Sequence, residues 1–333
     1  MAGPTGDEGV PGDVDAVEDL APEPADESVE RRGSIVGAAL HAQRLDKALV
    51  AIAPEFSRSH LQGLVASGQV TLDGTVVRQA ARKVQAGQRI EVALVPTQES
   101  RAFRAEPMAL PIVFEDEHLL VVDKPAGLVV HPAAGHWTGT LLNGLLAHVR
   151  GAAALPRGGI VHRLDKDTSG LLVAGKTAAA TLALSRAIAA RDVRREYLAI
   201  VHGEVAARPF SIEAPIGRDP RSRVRMAVVA SGRPARTDVR RVAVAADLSA
   251  VACALHTGRT HQIRVHLAAR GHPLVADALY GGRAALGLER QALHAVRLAF
   301  DHPVTGRPMA FASSPPADLA AALAALGVSC DTT

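Results

Sequence analysis

The segment His162-Arg-Leu-Asp-Lys-Asp-Thr-Ser-Gly170 constrains this chain more than any other. It crowds charged and hydroxyl side chains between Gly158-Gly-Ile-Val161 and the apolar run Leu171-Leu-Val173. A short apolar run bounded by turn signals reads as a buried strand, and charges this dense beside it imply a turn. Asp165 and Asp167 then have two readings. One is a catalytic carboxylate beside a structural one; the other is a pair of turn caps that accept hydrogen bonds from local backbone N–H groups.

Strand signals at 112–114, 119–122, 171–173, 197–201, 239–244 and 251–255 alternate with helical stretches at 140–149 and 177–190, so the domain around this loop is α+β or mixed α/β. A chain of 333 residues has room for about two domains, and composition divides it. Residues 1–36 form an acidic tail, and as far as about residue 33 no hydrophobic period offsets the entropy of ordering. A small module at 37–96 follows. Leu45, Leu49 and Ile52 recur at helical spacing, Pro54 ends that helix, and Ser57 is placed to cap a second one running to about residue 66. Asp73-Gly74 between 70–72 and 76–77 predicts a tight hairpin, and 89–92 adds a strand, giving an α-α-β unit. Residues 97–110 read as a linker, 111–318 as the larger domain and 319–333 as a C-terminal helix or tail.

The first thirty residues carry ten carboxylates and no Lys or Arg, while the whole chain is formally +3, so the remainder is +13. A basic globular body fits a polyphosphate partner, and equally a merely soluble surface. Cys253 and Cys330 offer neither a disulfide framework nor a zinc cluster. His261, His266 and His272 are spaced five and six apart, not i, i+4 on one helix face, so no metal site is expected. No apolar run reaches the roughly 18–20 residues of a membrane span, and the N-terminus lacks signal-peptide character. The expectation is a cytoplasmic protein with no membrane partner.

Two resemblances sharpen this. Arg44-Leu-Asp-Lys-Ala-Leu, Ser57-Arg-Ser-His-Leu and Gly68-Gln-Val-Thr-Leu-Asp-Gly together resemble the S4 RNA-binding domain. That likeness implies Arg44, Lys47, Arg58, Ser59 and His60 as phosphate contacts, which position RNA without reading bases. The 162–170 segment resembles the signature of the RNA pseudouridine synthases, and three further motifs occur in order. Asp123-Lys-Pro-Ala-Gly-Leu128 with His131-Pro132 resembles the first, Arg195-Glu-Tyr197 the tyrosine motif, and Thr257-Gly-Arg-Thr-His-Gln-Ile-Arg-Val-His266 the arginine motif. Met226-Ala-Val, Leu279-Tyr-Gly-Gly282 and Arg290-Gln-Ala-Leu-His-Ala295 are most similar to the synthase D branch of the enzymes that act on the large ribosomal subunit, from which Ala133, His136 and a short segment after Gly282 depart.

What the resemblance implies is specific. The catalytic domain would be a mixed, mostly antiparallel sheet flanked by helices. Asp165 would attack or deprotonate the target nucleoside, and Arg264, near the start of a short helix capped by Thr260 and stopped by Gly271, would hold it ionised. Tyr197 would lie beside the base, Ile263 against the flipped uracil, Arg163 in the gap left in the RNA stack, and His162 would support the loop. Arg259, His261 and Lys124 complete the expected substrate and RNA contacts. Isomerising uridine consumes no electron, phosphate or water, so no cofactor is implied, and neither Gly-x-Gly-x-x-Gly nor a phosphate loop occurs. The expected protein is a monomer acting on a stem-loop of large-subunit ribosomal RNA, helix 69 of 23S RNA. Its rivals are the same chemistry at another ribosomal site or on transfer RNA, a non-catalytic RNA-binding assembly factor, and a glycosidic hydrolase, which would need a second carboxylate.

Overall fold

The computed structural model describes residues 30–95, 102–133, 135–222 and 224–328, and the chain divides into two compact units, Met1–Thr97 and Gln98–Thr333. Residues 1–29 of the expected tail lie outside the described residues.

In the first unit, strand β1 (Glu30–Ile35) pairs antiparallel with residues 89–94, from Glu30↔Leu94 to Ile35↔Arg89. This corrects the expected tail, whose boundary fell at residue 36. Five of these six side chains are exposed, so no hydrophobic pattern marks the segment; the backbone ladder along the edge of β4 (Arg89–Leu94) orders it. Helices α1 (Leu45–Ile52) and α2 (Arg58–Ala66) follow, the second capped as expected by Ser57 Oγ accepting from His60 N at 3.2 Å. Strands β2 (Val70–Leu72) and β3 (Thr75–Val76) turn through Asp73 and Gly74 at φ 49° and 79°, the left-handed pair a two-residue hairpin needs. The sheet order is β1-β4-β2-β3. Leu45, Leu49, Leu61 and Val65 of the helices bury against Val70, Ile90 and Val92 of the sheet.

The second unit is built on β5 (Ile112–Glu115), β6 (Leu119–Lys124), β7 (Ser169–Gly175), β8 (Arg194–His202), β9 (Phe210–Glu213), β12 (Arg236–Ala245), β13 (Leu248–Leu255), β14 (Leu293–Asp301) and β15 (Pro308–Ala312). A two-stranded ribbon, β10 (Ile216–Arg218) with β11 (Met226–Val228), stands apart. The main sheet runs β5-β6-β7-β14-β8-β13-β12-β9, with β15 on β14. Its pairings are antiparallel except β7 with β14, which meet in parallel at Ser169↔His294 and Gly170↔Ala295. Gly170 (φ +111°) is essential to that junction, because a β-carbon there would sit 2.3 Å from the Ala295 carbonyl oxygen.

Alternation along the strands sends Leu120, Val122, Leu172 and Ala174 to one face, where α3 (Leu141–His148) and α5 (Gln262–Ala269) deliver Leu141, Leu145, Ile263 and Leu267. Leu119, Val121, Leu171 and Val173 meet Leu184 of α4 (Ala178–Ala190). Helix α6 (Ala317–Ala325) packs Leu319 and Leu323 on Ile200 of β8 and Ala250 of β13. The boundary expected at 318/319 therefore falls inside a helix that belongs to this core. The linker reading is corrected as well: Asn143, which completes a capping box with Thr140 at the start of α3, also donates to the carbonyls of Ala102 and Arg104 at 3.2 and 2.8 Å. Among the described residues no helix is long and apolar enough to cross a membrane.

Candidate active site

The loop that leads into β7 is held from beneath by cations. Lys124, at the end of β6, is 1% exposed and donates to the carbonyls of Pro125, Leu128 and Lys166 at 2.8, 2.9 and 2.9 Å. Burial pushes its ammonium down to about 8. Its three protons are all used inside, which corrects its assignment as an RNA contact. Gly127 N–H donates to the same Lys166 carbonyl, and Arg290 Nη1 donates to Asp167 O at 2.9 Å while its Nε and Nη2 grip Asp318 of α6. Within the loop, Thr168 N–H donates to Asp165 O, and His162 Nε2 accepts from Val173 N–H at 3.1 Å. Burial pushes the His162 imidazole down to about 3, with the Arg195 charge adding to the effect, so His162 is a neutral brace of the loop.

Asp165 emerges from this frame opposite α5. The N-cap of that helix is His261, at φ 55° and ψ 24°, in place of the expected Thr260, and Gly271 (φ +83°) follows its C-cap. Gln262 ties the helix start to β12 by donating to Arg236 O and Thr237 Oγ1, both at 2.9 Å. Arg264, 6% exposed, donates from Nη1 to Asp165 Oδ2 at 3.1 Å and, through Nε and Nη2, to both oxygens of Asp277 at 2.7 and 2.8 Å. Tyr280 lies under the guanidinium, 5.0 Å from its ring centroid. The Tyr280 hydroxyl accepts from Met226 N–H and stands 2.8 Å from His261 Nδ1. It can give its own proton to that nitrogen, which places the imidazole N–H on Nε2, 3.9 Å from Asp165 Oδ1.

Asp165, His261, Gln262 and Arg264 line a cavity of about 660 Å³. Its walls contain Arg157, Arg163, Arg191, Arg195, Arg259 and Arg264, and Asp165 is the one carboxylate among the lining residues. Tyr197 and Ile263 contribute to its apolar side, 5% and 3% exposed. Burial pushes the Tyr197 phenol up to about 12, so it stays protonated at neutral pH. Two of the rim arginines, Arg157 (φ 54°) and Arg191 (φ 71°), share the left-handed backbone of His261; such conformations cost about 1 kcal/mol or more each and gather at functional sites. The sequence-derived set Asp165, Tyr197, Arg264, His162, Arg163, Arg259, His261 and Ile263 thus comes together. Asp277, Tyr280 and Arg290 went unassigned, although Tyr280 and Arg290 lie in motifs quoted above. No cluster of three or more potential metal ligands occurs among the described residues.

In the first unit the expected contacts separate. Arg44 and Arg58 both donate to Asp46, a carboxylate with no exposure that also accepts from Gln62 at 2.6 Å. The Arg44 hydrogen bond, offset in part by burial, holds Asp46 far below the usual carboxylate range. Lys47 and Ser59 are exposed, and the His60 ring packs 5.0 Å from that of Phe56.

Both units of the chain resemble known proteins. Residues 118–269 match the model of the RNA pseudouridylate synthase family, and residues 43–90 match that of the S4 domain. The chain is 46% identical over 291 residues to ribosomal large subunit pseudouridine synthase D of Nitrosomonas europaea, covering 85% of this chain and 84% of that one. It is 43% identical over 321 residues to the protein of the same name in Xanthomonas campestris pv. campestris, covering 92% and 96%. A solved structure of human RNA pseudouridylate synthase domain containing 4 shares the fold at 22% identity, with a TM-score of 0.52 over 65% of this chain and 92% of that one. The chain belongs to the RNA pseudouridine synthases, enzymes that isomerise uridine to pseudouridine in RNA, and carries an S4 domain ahead of the synthase domain.

Proposed function

We propose that this synthase isomerises uridines of large-subunit ribosomal RNA, in the helix 69 stem-loop of 23S RNA, working as a cytoplasmic monomer with Asp165 as the reacting carboxylate. The observation that carries the reading is the Asp165–Arg264 pair at 3.1 Å, with a second anchor at Asp277, in a cavity whose lining holds no other carboxylate. A single carboxylate suits an isomerisation, in which one group acts on the sugar and water takes no part. It does not suit hydrolysis by paired acids.

To bring C1′ to Asp165 the uridine has to leave its stack, at a cost of a few kcal/mol. Arg163, exposed at the cavity, fills the vacated place, while the arginine wall takes up flanking phosphates. Tyr197 and Ile263 hold the flipped ring. The N1–C1′ bond then breaks, the uracil turns, and C5 joins C1′, with Asp165 either bonding C1′ or taking a sugar proton in between. The second rival substrate, transfer RNA, has no observation in its favour.

The test treats protein-free large-subunit ribosomal RNA with wild-type protein and with Asp165→Asn, then maps pseudouridine by carbodiimide-stopped primer extension. Stops in one stem-loop with wild type and none with the variant support the reading. Stops at another site correct the target alone, and stops retained by the variant remove Asp165 from the chemistry.

A further inference from the structure

Three buried polar atoms on the cavity's side chains have no hydrogen-bond partner: His131 Nε2, His162 Nδ1 and Arg195 Nε. Arg195 is the most unusual of the three. Among the described residues two arginines are this deeply buried, each 6% exposed. Arg264 has two carboxylates, and Arg195 has no hydrogen-bond or ion-pair partner at all among those residues. A buried charge without a partner is a standing cost to the fold, and it persists where an anion arrives in the course of function.

The place of Arg195 says which anion. It precedes Tyr197 by two residues on β8, so both side chains leave the strand on one face, and both line the cavity. Burial dominates the pKa values of Tyr197 and His162, and the Arg195 charge acts on both. Gly258, in the arginine-motif loop, leaves room for the guanidinium: a β-carbon there would lie 2.9 Å from Arg195 Nη1. The arginines open to solvent, Arg157, Arg163 and Arg191, are the ones placed for backbone phosphates. The buried one, Arg195, lines the interior of the cavity.

We propose that Arg195 is the counter-ion of the detached uracil, a catalytic role that rests on reading Asp165 as the carboxylate acting on uridine. When N1–C1′ breaks, its electron pair leaves with the ring and spreads over N1, O2 and O4. This is so whether C1′ bonds an Asp165 oxygen or Asp165 takes the C2′ proton. C5 then bonds C1′, Asp165 is released or returns its proton, and the C5 proton passes to N1, so atoms and electrons balance without a co-reactant. A fixed cation beside the ring stabilises that anion and has little to offer the neutral base before the bond breaks, so it acts on rate more than on binding.

The test compares wild type, Arg195→Met, Arg195→Lys and Gly258→Ala in single-turnover conversion of protein-free large-subunit ribosomal RNA, alongside filter binding over a salt series and thermal melting. Arg195→Met should lose about 10²–10³-fold in rate at saturating RNA. Its Kd should stay within about twofold, its salt slope should not change, and its Tm should be at or above that of wild type, because an unpaired buried charge has been removed. Arg195→Lys should recover at least about tenfold of that loss, and Gly258→Ala, which displaces Nη1, should show a smaller loss of the same kind. A loss carried by Kd and salt slope, with the saturated rate intact, overturns the proposal in favour of a phosphate contact. A lowered Tm with an unchanged saturated rate overturns it in favour of a structural role. Wild-type protein that forms no pseudouridine in this RNA instead refutes the ribosomal reading on which the proposal stands.

Discussion

Replacing Asp277 by Asn tests how the site is held. Asp277 and Arg264 have side-chain exposures of 1% and 7%, so solvent does not screen their two hydrogen bonds, and removing one charge of a buried pair costs about 3–5 kcal/mol. Asparagine keeps one acceptor and turns an NH2 donor toward the guanidinium, so the lower figure, about 3 kcal/mol, applies. In a unit of this size that corresponds to a Tm fall of roughly 6–12 °C. The rate should fall too, because Nη1 faces Asp165 at 3.1 Å only while Nε and Nη2 are pinned. A misplacement of about 1 Å in a reacting group costs on the order of 10²-fold. Calorimetry and single-turnover kinetics at a temperature where both proteins are folded would measure the two effects. A variant with wild-type Tm and a rate within about threefold of wild type would refute the claim that Asp277 sets the geometry of Arg264.

Other consequences are checked as directly. Tyr197→Phe keeps the ring and removes a phenol that stays protonated up to a pH of about 12; RNA affinity should hold while the rate falls about 10²–10⁴-fold if the hydroxyl moves a proton, and an unchanged rate would reduce Tyr197 to packing. Burial depresses His162 to about 3 and His131 to about 4 from an ordinary 6.5, so the unfolded chain binds more protons below 6.5. Stability should then drop by about 2 kcal/mol per histidine between roughly pH 7 and 5. Urea denaturation of His162→Phe at both pH values should show a loss smaller than that of wild type by that amount, and equal losses would contradict it. Lys124→Met should lower Tm and rate together, since it frees the carbonyls beneath the Asp165 loop, with no change in the salt slope of RNA binding. Arg191→Gly removes a rim cation and relieves a left-handed backbone, so RNA affinity and salt slope should fall while Tm does not.

Asp165, Tyr197 and Arg264, which line one cavity, were singled out by the resemblance of their contiguous motifs to a known family; by residue type alone Asp165 also reads as a turn cap and Tyr197 as a core residue. Asp277 was not singled out, because it meets Arg264 only when the chain turns back after α5, and a lone aspartate thirteen positions on carries no local sign of that. Lys124 misled for the opposite reason. In the sequence it is a lysine beside Pro125 in a polar turn, and only the three carbonyls that converge on Nζ reveal a buried strut. The strands on the central sheet were found where apolar runs are continuous, as in β7, buried at all seven positions. β1 is an edge strand with exposed side chains, held by backbone pairing, and its side chains announce nothing. Residues 102–110 likewise look like a linker until Asn143 is seen to hold two of their carbonyls.

The central claim is that Asp165 breaks and remakes the bond to C1′ in a ribosomal uridine, and loss of hydrogen from C5 reports that event. Large-subunit ribosomal RNA labelled with tritium at C5 of uridine, incubated with wild-type protein, should release label to water in step with pseudouridine formation. With Asp165→Asn it should release none above background while binding the same RNA with an affinity within about threefold of wild type. Tritium release by the variant at a rate near that of wild type would contradict the account.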